Sequence, residues 1–348
     1  MKKSIFILSV LGAAAAAHAQ SSVTLHGTVD TTINRVTGST ASRTQLTSGG
    51  NSTSKLSLRG REDLGGGMSA AFWMEAGLNA DTGMGKATNT NNQKTSAAGN
   101  GSQGLVFDRR ASVELHAPWG SVEAGRLWAP IYDTYTGRFD LFAVGVGIGL
   151  NYTSSINPSL VRVSNSVAYN TPKFSGVWAR LQHWRGENAS NVTTADDGTG
   201  SGLMLGYGQG PWAARLHYAR TDYLTGDSIH RAIAAHYDPG AFRVAFNLNR
   251  DELGQLEQRG YNVGGIYRVG VGEIKLGVSG LKTNATAAGP SSRKVAVGYQ
   301  HNLSKRTALY ATYAHISNKN GATLAIAGST TAANQKSTGF DLGLRHNF

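Results

Sequence analysis

The chain has 348 residues, no cysteine, 45 glycines against 7 prolines, and a formal charge of +12. The missing cysteines exclude disulfides and thiol catalysis together, and this much glycine disfavours a helical fold, since each interior glycine costs a helix about 1 kcal/mol. A mean hydropathy of -0.26 looks soluble, yet a strand barrel with a polar lumen and polar loops averages to a similar value.

Lys2 and Lys3 precede the apolar run from Ile5 to Ala17, which ends in the small-residue pattern Ala17-His18-Ala19. These are the marks of a secretory signal peptide over residues 1-19, leaving one barrel domain over 20-348. Removing the two lysines lowers the charge from +12 to +10. No later segment reaches the roughly 18 consecutive apolar residues of a membrane helix. A chain that crosses a membrane without one must do so as a closed barrel, because only helices and barrels satisfy every backbone polar group in hydrocarbon.

Period-2 alternation supplies the strands. Leu56 and Leu58 alternate with Lys55, Ser57 and Arg59; Phe242, Val244, Phe246 and Leu248 alternate with Arg243, Ala245, Asn247 and Asn249; the final stretch carries apolar residues at Phe340, Leu342 and Leu344 and ends in Phe348. Each stretch buries one face in something apolar and turns the other to something wet. In chain order the pattern predicts strands near 23-34, 55-62, 68-78, 105-116, 121-128, 159-169, 176-185, 202-209, 211-221, 230-238, 241-249, 261-269, 272-282, 293-301, 307-315 and 337-348. Sixteen is an even number, as a single-chain bacterial barrel requires, so the expected class is all-β: a sixteen-stranded antiparallel transmembrane β-barrel. Short turns such as Asp63-Leu64-Gly65-Gly66-Gly67 and Pro118-Trp119-Gly120 alternate with long polar loops at 79-104, 129-158, 186-201 and 316-336. The first and last of these loops read as exposed and mobile. Aromatic residues near strand ends, among them Tyr169, Trp212, Tyr237, Tyr261 and Tyr267, suit the two membrane interfaces. A soluble β-sandwich, the competing reading of the alternation, is usually nearer 100 residues.

Several motifs carry a family resemblance. The opening Ser22-Val23-Thr24-Leu25-His26-Gly27, the run Leu58-Arg59-Gly60-Arg61-Glu62-Asp63-Leu64-Gly65, the segment Val122-Glu123-Ala124-Gly125-Arg126-Leu127-Trp128, the stretch Asn165-Ser166-Val167-Ala168-Tyr169, and the closing Arg345-His346-Asn347-Phe348 resemble those of the general diffusion porins of β-proteobacteria. That resemblance implies a homotrimer of barrels in the outer membrane of a Gram-negative cell. It also implies that the third extracellular loop, 129-158, folds inward to constrict the pore.

The constriction is where function is expected. Alternation turns Lys55, Arg59, Arg110 and Arg162 toward the lumen, where the resemblance makes them a basic wall facing the loop. Arg126 has outward parity from Val122 and Ala124, while the resemblance makes it a pore-lining base; a bulge near Gly125 would reconcile the two. Asp133 and Asp140, with Arg138 between them, are the charged candidates on the loop. Two carboxylates against these bases predict a net positive eyelet that favours anions. Phe348 and its strand are the expected signal for the outer-membrane assembly machinery. The expected surroundings are outer-membrane lipid and lipopolysaccharide, and the expected cargo is small hydrophilic solutes, anions above all.

Enzymatic signals are weak, and no catalytic residue, metal or cofactor is expected. Gly99-Asn100-Gly101-Ser102-Gln103-Gly104 matches a dinucleotide-binding pattern, but in a polar loop with no helix to present amides to a pyrophosphate. H-E-x-x-H and G-x-S-x-G are absent. The bases do not cluster with aromatics on one short segment, so nucleic acid is not an expected partner. A channel selective for sugars or organic acids, or a barrel adhesin or enzyme, are the competing readings.

Overall fold

The computed structural model describes residues 22-93, 104-135, 138-149, 156 and 161-348. The expected signal peptide, and parts of the loops 79-104 and 129-158, lie outside the described residues. In chain order the strands are β1 (Ser22–Gly38), β2 (Arg43–Ser48), β3 (Lys55–Gly65), β4 (Met68–Asn79), β5 (Met84–Gly85), β6 (Arg110–Ala117), β7 (Gly120–Trp128), β8 (Arg162–Asn170), β9 (Val177–Trp184), β10 (Gly200–Gln209), β11 (Trp212–Thr221), β12 (Ser228–Tyr237), β13 (Phe242–Leu253), β14 (Leu256–Val269), β15 (Gly272–Thr283), β16 (Ser291–Asn302), β17 (Thr307–Lys319) and β18 (Ser337–Asn347). A single helical turn, α1 (Tyr132–Tyr135), follows β7.

Neighbours pair antiparallel around a single sheet. β18 closes the ring on β1, from Thr28 opposite Asn347 to Gly38 opposite Ser337. The other edge of β1 is shared: β3 pairs with its first half and the short β2 with its second. β5 touches only the end of β4, which pairs directly with β6. With β2 and β5 set aside as side pieces, sixteen staves remain and no edge is left unpaired, the condition for a sheet to stand in hydrocarbon.

The alternation sorts the two faces. On β13, Val244, Phe246 and Leu248 are exposed outward, while Ala245, Asn247 and Asn249 are buried. On β18, Phe340, Leu342 and Leu344 face out and Asp341 is fully buried within. Trp119 and Tyr169, Trp212 and Tyr237, and Tyr237 and Phe242 form contacting ring pairs beside the short turns. They are an aromatic girdle on the rim that also carries both chain ends of the barrel.

Two departures from the sequence-based elements have physical causes. β6 begins at Arg110, later than expected, because Asp108 and Arg109 are drawn into side-chain bonds with Gly77 N (2.6 Å) and Glu75 (2.6 Å). β13 and β14 run past the apolar pattern to Leu253 and from Leu256. Their polar ends pair across the hairpin, with Arg250 on Glu257 at 2.8 Å, so charge complementarity extends the ladder where hydrophobicity stops.

Nor are the described parts of the loops 79-104 and 316-336 loose. Asn92 is almost fully buried and donates to the carbonyls of Ser164, Arg185 and Gly198 at 3.1, 3.1 and 3.3 Å. Asn318 holds the 320-336 segment through Leu324 O and Gln335 O, at 2.8 and 2.7 Å, and Ile326 is buried against Val36 and Ile316.

Candidate functional site

Inside the barrel the wall is stripped of side chains along one band. Ala245 pairs with Gly264, Gly264 with Gly277, Gly277 with Ala296, Ala296 with Ala314, and Ala314 with Gly339. This row of direct cross-strand partners crosses six staves. The described part of the third loop lies in it. Leu141 packs with Ala245 and Ile266, a Cβ at Gly277 or Gly298 would come within 3.0 Å of the Phe142 ring, and one at Gly339 within 2.8 Å of Val146. Upstream, Phe139 packs on Ala213 and Ala234. Small inward residues therefore make the shelf that receives the loop.

Polar bonds fix the loop to the shelf. Asp133 Oδ2 accepts from Arg215 Nε at 2.5 Å at its root. Asp140 turns back on its own loop and accepts from Phe142 N (3.2 Å) and Gly149 N (2.8 Å). Lys294 donates to Ile148 O at 2.6 Å, and Asp341 accepts from Val146 N at 2.8 Å. At Gly145, φ is +74° and a Cβ would strike the Gly50 carbonyl, so only glycine lets the loop approach there.

The uncovered half of the lumen carries the bases expected on the wall, Lys55, Arg59 and Arg110 among them. Arg59 lies 3.4 Å over the Trp73 ring, and Arg110 lies over both Trp73 and Trp128 at 4.4 and 5.1 Å. Arg110 Nη2 also bonds Glu114 (2.7 Å) and Glu123 (3.0 Å). Those two glutamates are direct cross-strand partners, a repulsive arrangement that the shared guanidinium relieves. Arg180 adds a second bond to Glu123 at 3.1 Å. Lys55 shares Glu75 with Arg109, at 3.8 and 2.6 Å.

Beneath the loop root a cavity of about 620 Å³ opens against Arg110, Glu123, Trp128 and Arg180 of this wall. Its charged residues are Arg110, Arg138, Lys173, Arg180 and Arg215 against Glu123 and Asp133, five bases to two carboxylates, and its rings include Trp128, Tyr132 and Trp178. Arg215 lies 4.2 Å over Trp178. The cavity joins wall and loop, so a solute passing the loop root meets a field dominated by positive charge.

The expected site residues divide accordingly. Arg110, Asp133 and Arg138 line this cavity, while Lys55 and Arg59 stand further along the same wall. Arg126 and Arg162 do not present free charge to it. At Gly125 (φ +126°) a single residue of β7, Arg126, faces Ser164 and Asn165 on β8, and this bulge turns Arg126 in to bond Asp108 O (2.5 Å), Asn89 O (2.8 Å) and Ser164 Oγ (2.7 Å). Arg162 donates to Arg109 O at 2.9 Å. Both are taken up in tying the second loop to the wall. The arrangement of Asp140 facing the basic wall is also replaced, since its carboxylate caps its own loop. Beside these two arginines, burial raises the Asp108 carboxyl above its ordinary value and lowers the Lys86 ammonium.

Arg180, Arg215 and Lys173, with the acids Glu75, Glu114 and Glu123, are functional-site residues the sequence reading passed over. Parity could have found the two arginines, since Arg180 alternates in step with Trp178 and Arg215 with Ala213. Among the described residues no group of three or more His, Asp or Glu side chains is placed to hold a metal ion.

Residues 7-321 match the model of the Gram-negative porin family. "Outer membrane porin protein 32" of Delftia acidovorans is 34% identical over 372 aligned residues, covering all of both chains. An outer membrane porin protein of Bordetella pertussis is 29% identical, again over the full length of both. Among solved structures, the "Anion-selective porin from Comamonas acidovorans" superposes with a TM-score of 0.82 at 32% identity, covering 94% of this chain and 100% of that one. OmpT of Vibrio cholerae, at 14% identity and TM-score 0.65, covers 94% of this chain and 98% of its own and shares the fold. The sixteen-stave closed barrel, the inward loop and these full-length matches together establish that the chain belongs to the Gram-negative porin family of outer-membrane channels.

Proposed function

We propose that this porin passes anions in preference to cations, as a trimer of independent diffusion channels, and that selection occurs between the loop root and the wall of β6, β7, β9 and β11. The observation that carries this reading is the excess of bases over carboxylates around the 620 Å³ cavity. Charges at close quarters across a narrow aqueous passage attract counter-ions and repel co-ions. The match to a porin described as anion-selective supports the same direction. Within the site, Arg138 and Lys173 contribute the least compensated charge, since neither forms an ion pair among the described residues. Lys55, Arg59 and Arg110 extend the positive wall, Arg126 and Arg162 hold it, and Asp133 sets the loop root.

Ion substitution in planar bilayers tests the proposal. Exchanging chloride for a bulky organic anion should lower conductance more than exchanging potassium for a bulky organic cation, and closures should come in three equal steps. The opposite order of substitution effects would overturn the anion preference; single-step closure would overturn the trimer. The rings of Trp128, Tyr132 and Trp178 beside the bases offer stacking faces to flat solutes.

A further inference from the structure

One member of the shelf row differs from the rest. Followed toward β11, the row of direct cross-strand partners continues from Ala245 to His236 and from His236 to Ala213. Every other residue in it, from Ala213 to Gly339, is alanine or glycine. Parity along β12 turns His236 inward with the buried Ala232 and Ala234, while Ile233 is exposed on the outer face. The third loop meets it there, with the Phe139 ring 5.4 Å from the imidazole, centroid to centroid, at 55°. Packing alone does not call for this side chain. Phe139 already rests on Ala213 and Ala234, and a small residue at 236 would complete the shelf as it does elsewhere in the row.

The imidazole is also uncommitted. Its Nδ1 is buried and has no hydrogen-bond partner among the described residues, so no bond at that nitrogen fixes one tautomer. Two other inward histidines are engaged, His230 by Asp251 at 2.6 Å and His116 by Glu114 at 3.2 Å. The charged groups that act on His236 come from four elements: Arg138 from the loop, Arg215 from β11, Arg243 from β13 and Asp238 from the β12–β13 turn. Arg138 and Arg215 also line the cavity at the loop root, and Asp238 is taken up by Arg243 and Arg268 at 2.6 and 2.8 Å. Guanidiniums stay charged throughout the physiological range, as does a carboxylate held by two of them. The imidazole is the member of this set whose charge changes between pH 5 and 8.

We propose that His236 is a proton-operated selectivity residue. Protonated, it adds a positive charge beside Arg138 and Arg215 and strengthens the preference for anions; neutral, it leaves selection to the fixed bases. The inference rests on the anion preference proposed above and adds to it a dependence on pH. Its sign follows from the chemistry: imidazole gains a proton as pH falls, positive charge near the loop root rises, and chloride is favoured further in acid. A histidine present only to support Phe139 would leave selection the same across this range.

The test is the zero-current potential of wild type, H236Q and H236K in planar bilayers, in a potassium chloride gradient kept near 0.1 M, where the screening length is about 10 Å. The wild-type permeability ratio of chloride to potassium should rise about twofold from pH 8 to pH 5. H236Q, similar in size but without a titratable proton, should remove most of that rise. H236K, charged throughout, should show the acid ratio already at pH 8. Heat-modifiable mobility establishes that both variants fold. A rise of wild-type size in H236Q, no rise in wild type, or an H236K ratio at pH 8 no higher than that of wild type would each overturn the proposal. The sign of the wild-type potential at pH 8 reads the anion preference itself, so that reading and this one fail separately.

Discussion

Asp341, on the strand that closes the barrel, accepts a hydrogen bond from the backbone N–H of Val146 in the third loop at 2.8 Å. Its other oxygen accepts from Asn34 Nδ2 at 2.7 Å on β1. The loop is thus bonded to the seam where first and last strands meet, and the width of the passage depends on that seam. Asp341→Ala removes the acceptor from both donors and leaves the Val146 N–H unsatisfied, at a cost of about 1–3 kcal/mol. Single-channel recordings of a variant that still shows heat-modifiable mobility should give noisier and larger currents. Wild-type noise and conductance would mean the remaining anchors hold the loop alone.

The shelf of small residues makes a second prediction. At Gly277 the Phe142 ring already lies at contact distance from where a Cβ would stand, and Ala314 is fully buried. Gly277→Leu or Ala314→Leu should push the loop toward the lumen and lower conductance, with overpacking costing about 1–3 kcal/mol of stability. The same change at Gly265, across the wall from the shelf and with only Arg243 O near it, should leave conductance alone. A drop of equal size at Gly265 would break the link between shelf and passage.

How far these features were legible in the sequence follows from what each depends on. Alternation on a stave such as β13 is local, so the barrel, its strand count and the lumen orientation of Arg59 and Arg110 could be read directly. The bulge at Gly125 was legible as a conflict between parity and expected role at Arg126. The partners of Arg110 were not, because Glu123 meets it only through the register between β6 and β7. The turned-in carboxylate of Asp140 depends on the loop's own backbone path, which no periodicity encodes. Asn92 reads as a loop former by composition; its burial comes from three carbonyls contributed by β8, by the segment after β9 and by the one before β10.

A third prediction concerns the short-turn rim. Asp238, in the β12–β13 turn, accepts from Arg268 at 2.8 and 3.0 Å and from Arg243 at 2.6 Å. The Arg268 hydrogen bonds, followed by those of Arg243, hold its carboxyl well below the ordinary 3.8. A depressed folded-state value stabilises the clamp above the unfolded value and is lost only as pH falls through the folded one. Hydrogen exchange at the turn should therefore be flat, apart from intrinsic chemistry, from pH 8 to about pH 4 and should rise only in stronger acid. Asp238→Asn should bring that opening to neutral pH. Loosening of the wild-type turn already between pH 6 and 5 would contradict the assignment.

The terminal residue gives a fourth. Phe348 exchanges backbone hydrogen bonds with Gly27, N to O and O to N, both at 3.1 Å, and its ring covers the Gly27 Cα. Deleting Phe348 should leave export across the inner membrane intact and reduce the assembled barrel severalfold. Gly27→Leu, which displaces the ring while keeping the residue, should slow assembly less. Normal levels of assembled barrel in the deletion would remove Phe348 from the assembly signal.

Charge selection is the central claim, and the zero-current potential across a bilayer in a potassium chloride gradient measures it most directly. The potential should carry the sign set by chloride and be larger in dilute salt, where the screening length is about 30 Å at 0.01 M, than at 1 M, where it is about 3 Å. R138S/K173S should move the potential toward the potassium value while single-channel currents persist. A wild-type potential set by potassium, or an R138S/K173S variant with undiminished chloride preference, would contradict it.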